Sequence, residues 1–319
     1  MGKSTLDYFA IWMTIMGTVL SVIGTLISLE LWSKSLGFFI MAVFLVFAGI
    51  LMLWFLYKWD KYKSYYEAYP IINRGFSKAN SIVNPDIKDS ESLTEDLRTL
   101  QDFSSDIAEA FSVLTNTKCA VCIKLLVGKK GNDHAWVETF VRDYYSGRNR
   151  LNKDQEHVNH WLESNTDFSY IFDEKINHEL THKYYACNSL ATETRYRNSR
   201  LPKWWFAPTD VNTYADKEFS APPYIFLLHY LRMIPIISGF ANRYFWPLPY
   251  RSGIVVPIVP LNTTSLKETR LQGYLCIDSN SSNAFDELMD VQIVLGIADG
   301  IDPALRKISK QYLSEEDTH

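Results

Sequence analysis

The chain has no excess of basic residues. Its 319 residues include 32 Lys and Arg against 36 Asp and Glu, a net charge of -4. No basic tail or stripe stands out, so bulk electrostatic binding to nucleic acid is not expected. Cysteine is scarce, with four in the whole chain, which suits a reducing compartment. Cys119 and Cys122 form a C-x-x-C, but Cys-Ala-Val-Cys-Ile-Lys-Leu-Leu-Val reads as a strand. Residues three apart on a strand face opposite sides, so these thiols read as buried hydrophobes and not as a zinc or redox pair. There is no Gly-rich phosphate loop and no nucleophile elbow, no low-complexity tract and no internal repeat. Charge is also missing from two long runs, 8–29 and 36–57.

Each of those runs is about 22 residues long, which as a helix matches a bilayer's hydrocarbon core. The link Glu30-Leu31-Trp32-Ser33-Lys34-Ser35 has room only for a tight turn. The expectation is a two-helix transmembrane hairpin. Lys3 precedes it and Lys58, Lys61, Lys63 and Arg74 follow, against Lys34 alone in the turn. The positive-inside rule then puts both termini in the cytoplasm and the chain in the inner membrane. A cleaved signal peptide is the competing reading of the first run, but the run is too long and lacks a small-residue cleavage site. Gly17, Ser21 and Thr25 lie at four-residue spacing, either by chance or as a close helix contact within the hairpin or between subunits. No ionisable residue lies inside either span, so a pore would need several subunits.

Residues 58–90 read as a juxtamembrane connector. It opens aromatic and basic, as a headgroup collar would, and is interrupted at Pro70, Asn84 and Pro85. Ser92-x-x-Glu95 forms a capping box. Leu93, Leu97, Leu100, Phe103, Ile107, Phe111 and Leu114 then follow at helical spacing. They form a core stripe or, through the sevenfold spacing of Leu93, Leu100, Ile107 and Leu114, a subunit seam. Strands are expected at Cys119–Val127, Trp136–Arg142, 253–259 and 271–278. A last helix would be capped at Asn283, with Asp286 at its third position. That order predicts an α+β domain, an antiparallel sheet with helices packed on one face, over 91–310, with a tail at 311–319.

The segment Tyr250-Arg-Ser-Gly-Ile-Val-Val-Pro-Ile258, then Gly273-Tyr-Leu-Cys-Ile-Asp278, Phe285 and Ile297-Ala-Asp-Gly-Ile301 resembles the GAF family. The likeness covers about 90–310 and is motif-like over the last 60 or so residues. It implies a GAF-like sensor or dimer module, cupping a small ligand between the sheet and the segment over one face. No residue set matches the cyclic-nucleotide members and no bilin-attachment cysteine is evident, so no cofactor is expected. An aromatic insertion at about 201–249 departs from a minimal GAF domain. Its stretch 222–240 reads as a core or interface helix, an interfacial membrane segment or a third span.

A GAF-like pocket would draw on Arg142, Asn188, Arg195, Tyr196, Arg197, Tyr250 and Arg251. Arginines among tyrosines suit a phosphate or carboxylate beside a stacked ring, as in a nucleotide-like ligand. Solvated loop arginines are the plain alternative. His178-Glu179-Leu-Thr-His182 is a literal H-E-x-x-H, which on a helix sets two zinc ligands and a general base on one face. Lys183 after the second histidine and the absence of a third ligand at a familiar spacing favour a solvated surface helix. The expected function is a membrane-anchored, small-molecule-responsive signalling module without its own catalysis, working as a homo-oligomer. Two alternatives remain. One is a ligand-gated, pore-forming or membrane-disrupting effector of the bacterial antiphage-defence type. The other is a membrane-tethered zinc peptidase.

Overall fold

A computed structural model describes residues 17–25, 34–84, 93–127, 136–149, 160–172, 184–193, 196–201, 234–259 and 271–316, with single positions 14, 28, 205 and 231. The chain divides into two compact units, Met1–Lys63 and Ser64–His319.

In the first unit residues 17–25 are helical, and helix α1, Lys34–Val83, begins. The Thr18 and Thr25 hydroxyls donate to the carbonyls of Thr14 and Ser21, at 2.9 Å each. An apolar helix thus satisfies its few side-chain donors internally. Along α1, Phe39, Val46 and Leu53 recur every seven residues and are 64–70% exposed. Among the described residues, α1 is the one helix long and apolar enough to cross a membrane, with a mean hydropathy of 2.8 over 18 residues.

Pro70, expected to interrupt the connector, lies inside α1, which continues to Val83. An interior proline removes one backbone hydrogen bond and costs about 3 kcal/mol in an isolated helix. Tertiary contacts offset that cost here. Within the second unit, Ala79 and Ile82 are buried in the main core, and Ile72 and Phe76 pack against it. The Tyr65 hydroxyl donates to Asp290 Oδ1 at 2.7 Å. Arg74 and Lys78 both pair with Asp106, at 2.8 and 2.6 Å. Lys307 Nζ donates to the Ile82 carbonyl at 2.6 Å, placing a cation at the helix's negative end.

The second unit is built on a six-stranded antiparallel sheet: β1 Cys119–Val127, β2 Trp136–Arg142, β3 His160–Trp161, β4 Tyr185–Cys187, β5 Ser252–Ile258 and β6 Gly273–Ser279. The spatial order is β3-β2-β1-β6-β5-β4, and every neighbouring pair is antiparallel. At the β1–β6 pairing, a side chain on Gly273 would run into the Lys124 carbonyl, which explains the glycine that opens β6.

The helices of this unit are α2 Leu93–Thr115, α3 Tyr144–Asn149, α4 Thr166–Phe172, α5 Pro235–Tyr244 and α6 Met289–Glu316, and α2 and α6 cover one face of the sheet. Leu100, Phe103, Ile107 and Phe111 of α2 are fully buried there against Val121, Ile123, Ile254, Ile277 and Ile301. The heptad positions Leu100 and Ile107 therefore belong to this subunit's own core, and the seam reading loses its central pair. Asn283 does not cap α6. It takes a positive φ of 57°, and its N–H donates to the Asn188 carbonyl. Asp286 holds the cap, accepting from the N–H of Leu288 and Met289 at 3.1 and 3.2 Å while its own N–H donates to Asp290 Oδ2. That reciprocal arrangement shifts the helix start about three residues downstream.

Candidate functional site

The opposite face of the sheet is covered by α4, Thr166–Phe172, and by the turn at 196–201. These two pieces are fastened together. Thr166 N–H donates to the Arg197 carbonyl and Arg197 N–H to Thr166 Oγ1. Asn165 Oδ1 accepts from Ser199 N–H at 3.0 Å, and Asn165 Nδ2 donates to the Trp161 carbonyl. Asn198 Nδ2 donates to the hydroxyls of Tyr196 and Tyr250, at 2.9 and 3.2 Å, and its Oδ1 accepts from Arg200 N–H. The cover is thus a built roof held by two asparagines.

Between roof and sheet lies a cleft of about 400 Å³, counted out into the solvent at its mouth. Its charged walls are Lys124, Arg142, Asp167, Arg200 and Asp278, and Cys122, Cys276, Phe168 and Val255 supply apolar surface. Lys124 is 8% exposed and Arg142 and Asp167 are 7% exposed. Such groups are rarely buried this deeply without a role, because desolvation penalises the charged form.

A β-bulge arranges them. The β1–β2 register shifts between Ile123 and Lys124, so that Cys122 faces Arg142 while Lys124 faces Thr139. Phe140 and Val141 both turn to the apolar core. Thr139 and Arg142, three apart, then reach the same side of the sheet, which simple alternation forbids. Lys124 Nζ and Arg142 Nη2 both donate to Thr139 Oγ1, at 3.1 and 3.2 Å. The amine and the guanidinium converge on one hydroxyl.

Among the described residues no carboxylate lies within ion-pair distance of Lys124. Burial pushes its amine's pKa down, and the charges of Arg142 and Arg200 add to that against the Cys122 and Cys276 sulfurs. Burial pushes the Asp167 carboxyl the other way, up to about 7, against the Phe168 N–H and Lys124. The Cys276 thiol is raised well above its usual range by burial, and by Cys122 after that. Burial thus disfavours the charged forms of Lys124, Asp167 and Cys276.

Of the residues named from sequence, Arg142 and Tyr250 line the cleft. Tyr196 stands behind the wall, buried among Leu190, Leu201, Trp205 and Trp246, and supports Asn198. Asn188, Arg197 and Arg251 are not among the lining residues. Asn188 ties β4 to the turn before α6 through Phe285 N–H and O, at 3.0 and 2.9 Å. Arg251 contributes backbone bonds to Leu190 and Ser279, and Arg197 is exposed. Arg195 and the triplet His178, Glu179 and His182 lie outside the described residues, as does most of the 201–249 insertion. No group of three His, Cys, Asp or Glu side chains that could hold a metal ion occurs among the described residues. Sequence reasoning missed Lys124 and Asp167, and it placed 195–200 over the pocket without singling out Asn198 or Arg200. Lys124 carried a legible signal, since it shares strand parity with Cys122 inside an otherwise apolar strand.

No family model matches the chain, and no curated protein matches it in sequence. Among solved structures it is similar to the GAF domain of an Acinetobacter phosphoenolpyruvate-protein phosphotransferase. That match has 10% identity, covers 74% of this chain and 91% of that one, and has a TM-score of 0.37. It is also similar to a type II free methionine-R-sulfoxide reductase from Thermoplasma acidophilum, at 13% identity, 68% and 97% coverage and a TM-score of 0.34. A third is the chromophore-binding domain of a Stigmatella aurantiaca bacteriophytochrome, at 9% identity, 76% and 60% coverage and a TM-score of 0.32.

Proposed function

We propose that the chain is a membrane-anchored, GAF-like sensory module whose cleft takes a small anionic ligand and which performs no turnover of its own. One observation carries this reading: Lys124, Arg142 and Arg200 converge on a roofed cleft in which, among the described residues, they outnumber the lining carboxylates, Asp167 and Asp278. Cationic side chains in a low-dielectric cleft are best used by an anion with planar oxygens, which an arginine can hold through two bonds. The G-x-L-x-I-D strand, which provides Cys276 and Asp278, supports the GAF-like assignment. Anchoring rests on the uncharged run at 36–57, carried within α1, and on its counterpart at 8–29. In this reading both termini are cytoplasmic, in the inner membrane, and subunits assemble through the membrane segment. The test is to denature purified full-length protein and identify released small molecules by mass spectrometry. An anionic metabolite near one per chain, lost in Arg142→Gln, is the expected result. Protein that releases none, and whose melting temperature does not respond to a panel of carboxylates and phosphates, would refute the reading.

A further inference from the structure

The cleft holds more than an anion site needs. Phosphate or carboxylate binding is served by arginine and ammonium, yet one of the two buried cations is a lysine whose surroundings disfavour its charge. It is buried, it has no carboxylate at ion-pair distance among the described residues, and it shares Thr139 Oγ1 with a guanidinium. A desolvated lysine beside a second cation is the arrangement that makes an amine nucleophilic. Asp167 stands in the same cleft, 7% exposed, with the Phe168 N–H donating to one carboxylate oxygen at 3.0 Å.

We infer that the cleft captures a small 2-oxo carboxylate as a reversible imine on Lys124, with Arg142 holding the carboxylate and Asp167 serving as the proton donor. This deepens the reading of the cleft as an anion-binding sensor site and rests on it. The spacing selects the ligand class. Lys124 Nζ and Arg142 Nη2 are second neighbours through one hydroxyl oxygen, and that short span suits an electrophilic carbon directly beside the carboxylate. A 2-oxo acid has that connectivity, whereas a longer keto acid does not. Phe168 and Val255 supply an apolar wall for a short side chain.

The chemistry balances without an oxidant or reductant. The Lys124 lone pair forms a C–N bond to the carbonyl carbon as the C=O π pair moves to oxygen. A proton shifts from nitrogen to that oxygen, and the Asp167 carboxyl delivers a second one. The C–O bond breaks, water leaves, and the nitrogen lone pair closes the C=N bond. The neutral pair of amine and acid becomes an iminium cation beside a carboxylate anion, so net charge in the cleft is conserved. Readmitted water reverses every step, as a sensor requires.

The probe is pyruvate, applied to purified full-length protein with sodium cyanoborohydride and read by intact mass and peptide mapping. The expected result is one adduct, with the mass of pyruvate less a water plus two hydrogens, on Lys124. It is absent with lactate, which lacks the carbonyl, and absent in Lys124→Met and in Lys124→Arg, which keeps the charge. Cooperative melting of both variants shows that they fold. No adduct on Lys124, or adducts spread evenly over surface lysines, overturns the imine. The melting temperature then separates the two readings. If pyruvate or lactate still raises it, and Arg142→Gln abolishes the rise, the anion site stands and only the covalent step falls. If neither ligand raises it, both fall.

Discussion

Strand β1 belongs to two different environments on alternate residues. Val121 and Ile123 point into a dry layer formed by α2, α6 and the end of α1, where they are fully buried among hydrocarbon. Cys122 and Lys124 point the other way, into a cleft that holds buried charges. The helix-covered face also buries carboxylates, but pairs them: Asp106 with Arg74 and Lys78, and Asp302 with Arg306. The cleft face places Lys124, Arg142 and Asp167 inside. A single sheet thus separates the hydrocarbon core from the candidate cleft. Hydrophobic burial on one face has to offset the desolvation tolerated on the other. Substitutions on the two faces should therefore change stability in opposite directions.

The largest effect belongs to the dry face. Leu100→Ala should lower stability by about 2–5 kcal/mol, because it removes packed atoms and leaves a cavity. Urea denaturation of the full chain measures this, and size analysis of the same sample tests the heptad alternative. A folded variant with unchanged stability and altered oligomer size would return Leu100 to a subunit seam and break the comparison.

The next effect is the pH dependence contributed by the cleft. Asp167 ionises near 3.8 when exposed and at about 7 in the folded protein. Over that interval the folded state keeps a proton that the unfolded chain releases. Its stabilising contribution is therefore complete below the unfolded value and is lost as pH rises through about 7. The ceiling is about 4 kcal/mol, and contact with solvent at the mouth reduces it. Asp167→Asn should be less sensitive than the parent between about pH 4 and about pH 7. Parallel stability profiles for the two proteins would show that Asp167 ionises normally and that the cleft is wetter than its geometry implies.

Lys124→Met should shift stability in the favourable direction, by zero to about 2 kcal/mol, since replacing a buried ion by an apolar side chain of similar length is often neutral or stabilising. Anion binding should weaken at the same time. A variant destabilised as strongly as Leu100→Ala would make Lys124 a structural group, and the division between the two faces would fail there.

How far the sequence revealed this division depends on the distance over which the signal acts. Strands β1 and β2 are where apolar alternation puts them, and α2 follows its stripe, because those patterns are local and repeat over several turns. The cap at Asp286 was displaced from Asn283, since tertiary contact with Asn188 pulls Asn283 into a left-handed turn. Pro70 stayed helical because α1 is held by Asp106 and Asp290, which lie far away in sequence. Arg142 was identifiable at a strand end, but its partnership with Lys124 depends on a bulge, and no residue type in Trp136–Arg142 marks one. Asn165, Asp167 and Asn198 come together only where two segments distant in sequence meet over the sheet.

The smallest predicted effect sharpens the same point. Arg197 lies one residue from Asn198 and was as plausible a ligand residue in sequence as Arg142. Its side chain is exposed, and the roof uses only its backbone, through Thr166. Arg197→Ala should leave stability within about 0.5 kcal/mol, because the backbone bonds do not need the guanidinium, and it should leave anion affinity unchanged. Arg142→Gln should lose that affinity, since its guanidinium is inside the cleft and a neutral amide supplies neither the charge nor the paired donors. Isothermal titration of both variants with pyruvate provides the comparison. Equal losses would mean that the ligand approaches from the exposed side of the roof and that the cleft is not the site.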